Sequence, residues 1–182
     1  MKDKVTRGKL NLTTNREHWI YLAGILDADG SICISKATAE SLKLGRCHNP
    51  RYVLYLNIVN TSKELMDWLI QNFGGTNYKR RKRLSDNHRV TYDWRLSNNQ
   101  CIEVLKLIEP FLIIKKDRAK LGIEFVEGMP ERPRGQGAKT QANEVLRREA
   151  LWNKMKELNQ FGDTAATTKS SGPLRSKGDA IV

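Results

Sequence analysis

The stretch from Arg16 to Gly30, REHWIYLAGILDADG, constrains this chain more than any other. Trp19, Leu22 and Leu26 recur at helical spacing, which predicts an amphipathic helix. Asn15 stands where a cap is wanted, and Gly30 is expected to stop the helix in a left-handed conformation. Asp27 and Asp29 fall in the last turn, where the helix dipole disfavours each carboxylate by ~0.3–1 kcal/mol. Two exposed, tolerated acids are the plain reading; a divalent metal that draws them there is the other. A second face carries Tyr21, Gly24 and Ala28 at i, i+3 and i+7. Glycine inside a helix costs ~1 kcal/mol against alanine, so a packing reason is expected. Gly24 and Ala28 would let another backbone come close. One apolar stripe for the chain's own core and one smooth seam beside it suggest a dimer across this helix.

The rest of the chain alternates short strands and helices. Ser31–Ser35 reads as a strand, 37–50 as a polar loop, and Arg51–Asn57 as a strictly alternating, half-buried strand. Thr61–Phe73 returns to helical spacing, with Leu65, Trp68, Leu69 and Phe73 on one stripe and Gly74-Gly75 ending it. Thr76–Arg83 and Arg89–Leu96 read as strands around a turn at 84–88. Helices are predicted over Asn98–Ile108, Lys115–Glu127 and Thr140–Asn159, with a Pro/Gly/Arg-rich turn at 128–137. The order is αββαββα followed by helices. It implies an α+β fold with one antiparallel sheet and helices on one face only. Four segments follow: a basic N-terminal arm over 1–15, a core over 16–130, a C-terminal helical segment over 131–161, and a disordered tail over 162–182.

Composition narrows the partners. The 182 residues carry a net charge of +12, with 32 Lys+Arg against 20 Asp+Glu, and a pI near 9.8 points to a polyanion. A mean hydropathy of -0.58 and only short apolar runs exclude a helical membrane protein. No secretory signal pattern is present. Cys33, Cys47 and Cys101 are too few and scattered for a disulfide framework or a zinc site, which suits a reducing, intracellular setting. By strand parity the outward sheet face carries Ser35, Arg51, Asn57, Lys79, Arg81, Asp93 and Arg95. Any solvated sheet face is polar, but this one is mostly basic, as in a β-ribbon reader of DNA.

Leu22-Ala23-Gly24-Ile25-Leu26-Asp27-Ala28-Asp29-Gly30, followed by Ser31-Ile32, resembles the signature of the LAGLIDADG homing endonucleases; the departures, Ile25 and Leu26, are aliphatic swaps. The likeness extends over roughly 16–130, including Glu109-Pro110-Phe111-Leu112-Ile113-Ile114-Lys115-Lys116 before the fourth helix. It implies the LAGLIDADG fold, with a saddle-shaped antiparallel sheet. A single motif implies a homodimer packed through Tyr21, Gly24 and Ala28. The two Asp29 carboxylates would then lie together and hold Mg²⁺ or a similar divalent cation, with the Gly30 carbonyl as a second contact. Asp27 is expected to serve the helix end or the interface.

The implied reaction is metal-assisted hydrolysis of both strands of a long, specific DNA site, leaving 3′ overhangs. Asp29, Lys115 and Asn60 match the catalytic positions: Lys115 near the attacking water, Asn60 positioning it. Lys115 is otherwise a basic residue in a helix's first turn, and Asn60 a cap for the helix that follows. DNA contacts are expected from Ser35, Arg51, Tyr55, Asn57, Asn77, Lys79, Arg81, Asp93 and Arg95, with Cys33 and Val53 on the same parity. Arg46, Arg80, Lys82 and Lys139 are expected at phosphates. The start at Met1 and the lack of intein splice signals favour an intron-encoded protein. The alternatives are an RNA-splicing maturase acting on intron RNA and a catalytically decayed DNA-binding protein on the same fold. A His-Asn-His nuclease is disfavoured, because His48-Asn49 and Asn87-His88 are isolated fragments.

Overall fold

The computed structural model describes residues 5–37, 50–79, 90–130 and 141–160, with only the backbone of Val5, Thr6 and Lys79. The elements run β1 (Val5–Gly8), α1 (Arg16–Asp29), β2 (Gly30–Ala37), β3 (Arg51–Asn60), α2 (Lys63–Phe73), β4 (Gly75–Lys79), β5 (Tyr92–Ser97), α3 (Asn98–Ile108), a 3-10 turn (Glu109–Phe111), α4 (Lys116–Glu127) and α5 (Ala142–Asn159). The expected αββαββα order is there, with one addition. Part of the N-terminal arm is a strand, β1, paired antiparallel with β4 from Val5 opposite Tyr78 to Gly8 opposite Gly75. Four residues carry no periodicity of their own. They are ordered by the unpaired backbone groups along the edge of β4. The basic run after Lys79, with Arg80, Arg81 and Lys82, the loop 38–49 with Arg46, the segment 131–140 with Lys139, and the tail lie outside the described residues.

The sheet order is β1-β4-β5-β3-β2, antiparallel throughout, with β5 central. All five described helices pack on one face and share one core. α1 buries Trp19, Leu22, Ala23 and Leu26, the spacing that made it a helix. α2 buries Met66, Leu69 and Phe73, while Leu65 and Trp68 are partly covered. Trp94 and Leu96 from β5 and Leu54, Leu56 and Ile58 from β3 meet them from the sheet. Each fully buried large side chain contributes ~1.5–3 kcal/mol from its removal from water.

Two capping expectations are corrected. Asn15 occupies the N-cap, but its side chain bonds nothing there; its carbonyl accepts from the amides of His18 and Trp19. Gly30 is not left-handed. At φ −85°, ψ 172° it is extended, and α1 passes straight into β2. Glycine is needed there for space: a Cβ would lie 2.3 Å from Leu26 Cδ1 and 2.8 Å from Leu26 Cα. The left-handed stop belongs to α2 instead, where Gly74 and Gly75 have φ of 71° and 85°. Trp94 Nε1 donates to the Gly74 carbonyl at 2.8 Å and ties this turn to the sheet.

The last helix crosses to the outer strand. Asn159 Nδ2 donates to the Ile32 carbonyl at 3.0 Å, and Lys36 pairs with Glu149 at 2.7 Å. The Tyr52 hydroxyl donates to the same carboxylate. Lys36 and the neighbouring Tyr52 hold Glu149 below the usual carboxylate range. Burial, then the Glu149 contact, pushes the Tyr52 phenol up.

Candidate functional site

The end of α1 separates its two acids completely. Asp27 is used inside the chain. Its Oδ2 accepts from the amides of Ile113 at 2.7 Å and Ile114 at 3.2 Å, and its Oδ1 from the amide of Lys115 at 2.9 Å. The loop between the 3-10 turn and α4 is thereby pinned beneath α1. Lys115 then turns its side chain back. Its Nζ donates to the carbonyls of Leu26 at 2.7 Å and Asp27 at 2.5 Å. These are last-turn carbonyls of α1, which lacks a basic residue of its own there. The cation that the dipole calls for arrives from 88 positions away. Lys115 is 4% exposed, and burial pushes its ammonium below its ordinary value, against the pull of Asp27 and Asp29.

Asp29 stands apart. It is exposed, and its carboxylate makes no hydrogen bond or ion pair among the described residues. Its charge reaches Lys115. No three His, Cys, Asp or Glu side chains of the described residues cluster as a metal site. Among the described residues Asp29 is the open carboxylate at this point, beside the buried Gly30.

Tyr21, Gly24 and Ala28 all lie exposed on one side of α1. Apart from its own helix backbone and chain neighbours, no described residue lies within 4 Å of where a Gly24 Cβ would sit. Tyr21 is 55% exposed, while its ring edge packs on Trp68 at 5.1 Å. Sequence reasoning missed two neighbours. Ile113 and Ile114, held to Asp27 through their amides, are 88% and 66% exposed. An apolar doublet in a turn between helices is the signal that could have found them.

Asn60 is the last residue of β3, opposite Tyr92. Its Oδ1 accepts from the Ser62 amide at 2.9 Å, and Ser62, not Asn60, caps α2 by accepting from the Leu65 amide at 3.2 Å.

The outward sheet face keeps most of the expected residues and loses two. Ser31 pairs with Asn57, Asn57 with Arg95, Arg95 with Thr76, and Thr76 with Arg7, so these five residues form one row across the sheet. Cys33, Ser35, Val53, Tyr55, Arg51 and Asp93 share its parity. Asn77 and Lys79 do not. Asn77 is opposite Trp94 and Lys79 opposite Tyr92, on the helix-facing parity, and Asn77 is only 8% exposed. The outward residues of β4 are Thr76 and Tyr78. Thr-Asn-Tyr-Lys suits either face, so only the pairing with β5 sets the register. Ser31 Oγ donates to Asn57 Oδ1 at 2.7 Å. Asp93 is buried and accepts from Arg95 Nη2 at 3.0 Å. The Arg95 guanidinium lies over the Tyr55 ring at 4.9 Å and the Tyr78 ring at 5.8 Å. Burial pushes the thiols of Cys33 and Cys101 up, so neither is poised as a nucleophile.

The family model of the LAGLIDADG endonucleases matches residues 22–119, more than half of the 182-residue chain. This chain belongs to that family. Solved structures share the fold. The homing endonuclease I-CvuI, in complex with its target and calcium, is 19% identical over 81% of this chain and 85% of that one, at a TM-score of 0.59. The same enzyme with the I-CreI target and magnesium, its DNA uncleaved, gives 0.61. The archaeal intron-encoded homing endonuclease I-Vdi141I, complexed with DNA, is 17% identical over 80% of this chain and 86% of that one, at 0.57. No curated protein sequence matches at a significant level.

Proposed function

We propose that this chain is a site-specific DNA endonuclease of the homing type, acting as a homodimer with a divalent cation, Mg²⁺ by preference. The observation that carries the reading is the state of Asp29. It is an exposed carboxylate without a bonding partner among the described residues, at the end of a helix whose Tyr21-Gly24-Ala28 seam is open. A lone carboxylate is a poor metal site. A second copy across the seam would bring a second Asp29, and a twofold axis would set the pair at the centre. Oxygen donors from two Asp29 side chains and the Gly30 carbonyls fit a hard cation such as Mg²⁺. When bound, the cation would supply Lewis-acid stabilisation to the phosphodiester oxygens.

The chain's own residues do the rest. Asp27 fixes the 113–115 loop, and Ile113 and Ile114 extend the apolar shoulder of the proposed interface. Lys115 keeps a positive charge beside Asp29 while closing α1; in the proposed reaction that charge favours developing negative charge on the DNA. Asn60, at the end of β3, is assigned to orienting water. The outward face of the sheet is assigned to the DNA groove. Intron encoding and 3′ overhangs accord with this reading as family expectations.

The test is cleavage of a plasmid carrying the joined sequences that flank this gene's host element, by wild type and Asp29→Asn, with Mg²⁺ or EDTA. Linearisation by wild type alone, and only with metal, is expected. Tight binding without cleavage would instead indicate a decayed nuclease. Loss of both would direct attention to intron RNA.

A further inference from the structure

We propose that Arg95 is a pre-ordered guanine reader at the centre of the DNA-facing sheet; this rests on the endonuclease reading above. An arginine on a sheet is ordinarily a mobile phosphate contact, and freezing it costs side-chain entropy. Here the side chain is already fixed from three sides. Asp93 holds Nη2 from below, and Tyr55 and Tyr78, on the two flanking strands, stack against the guanidinium.

A donor count gives the direction of reading. Guanidinium has five N–H donors. One Nη2 proton is on Asp93, and Nε is buried with no hydrogen-bond partner among the described residues. What remains is the outer end: both Nη1 protons and the second on Nη2. That edge is a two-pronged donor, matched to O6 and N7 of guanine in the major groove.

Position excludes the phosphate alternative. β5 is the middle strand of five. Strands about 4.8 Å apart set the outer two about 19 Å from each other, against a major groove about 12 Å wide. With the sheet along the groove, the edges meet the backbones and β5 meets the bases. Sequence parity places Arg95 outward; the clamp, and the chemistry it selects, come only from the tertiary structure.

The test is selection of binding sites from a randomised duplex pool by the full chain with Ca²⁺, for wild type, Arg95→Lys and Arg95→Gln. Wild type is expected to enrich a twofold-related pair of guanines. Arg95→Lys, which keeps the charge but not the fork, is expected to lower that preference about tenfold while other positions stay enriched. A uniform loss of affinity at every position would make Arg95 a phosphate contact and overturn the proposal. An unchanged preference in both variants would overturn it too. If wild type enriches no site at all, the DNA-binding reading itself fails and takes this assignment with it.

Discussion

Removing the Asp27 carboxylate should cost stability, and removing that of Asp29 should not. Asp27→Ala leaves three amide N–H groups without their acceptor. Hydrogen bonds to a charged group are worth about 1.5–3 kcal/mol each when shielded. Only the bond from Lys115 is partly buried; those from Ile113 and Ile114 are exposed, and water replaces most of their value. Counting about 2 kcal/mol for the first and about 0.5–1 for each of the others gives about 3–4 kcal/mol. Alanine recovers about 1 kcal/mol through helix propensity and relief of the dipole conflict. The net loss is then about 2–3 kcal/mol. At a urea m-value of about 2 kcal/mol/M it lowers the unfolding midpoint by about 1–1.5 M. Asp29→Asn removes no hydrogen bond or ion pair among the described residues, only a charge felt by Lys115, and should stay within about 0.5 kcal/mol of wild type. Both variants should be unfolded at one fixed protein concentration, because dissociation of a dimer adds to the apparent stability. The cleavage assay completes the cross: Asp29→Asn should abolish cutting, and Asp27→Ala should retain some at low temperature. Equal midpoints for wild type and Asp27→Ala, or an equal loss in Asp29→Asn, would refute the division of labour between the two acids.

Three other outcomes follow from the same geometry. Gly24→Val meets open space among the described residues, so the fold should survive; wild type is expected to sediment as a dimer and the variant as a monomer, and an intact variant dimer would remove α1 from the interface. Gly74→Ala combines a φ of 71° with a Cβ placed 2.2 Å from the Lys9 carbonyl oxygen, and thermal unfolding should register a loss of about 3 kcal/mol. Glu149 has a folded pKa held down by Lys36 and Tyr52, so its contribution is complete above the ordinary carboxylate value and vanishes as pH falls through the lower folded value. The stability gap between wild type and Glu149→Gln should therefore be about 1 kcal/mol at neutral pH and close in strong acid; a gap that persists there would show that the carboxylate charge is not its source.

Much of the site was legible because its local pattern has one physical solution. The 3.6-residue recurrence of Trp19, Leu22 and Leu26 forces α1, and the Gly24 seam is visible because an interior glycine needs a reason. Strict alternation gives β3 and β5, hence Tyr55, Asn57 and Arg95 on the outward face. β4 failed that method. With two glycines before it and residues that suit either face, strand parity alone put Asn77 and Lys79 on the outward set, and the register with β5 places them on the other parity. β1 was invisible for a related reason: a four-residue edge strand exists only because a partner is already there.

The nonapeptide pointed to the family, which the match over residues 22–119 bears out, and to the helix end on which the proposed chemistry rests. It also posed a problem it does not solve, two acids at the negative end of a helix. Only the tertiary structure divides them. Folding carries Lys115 and three amides across 86 to 88 positions to close that end, which consumes Asp27 and leaves Asp29 open. Short-range propensities act over a few residues. The partners of a helix terminus are chosen by whatever the chain packs against it, and that is fixed only when the core closes.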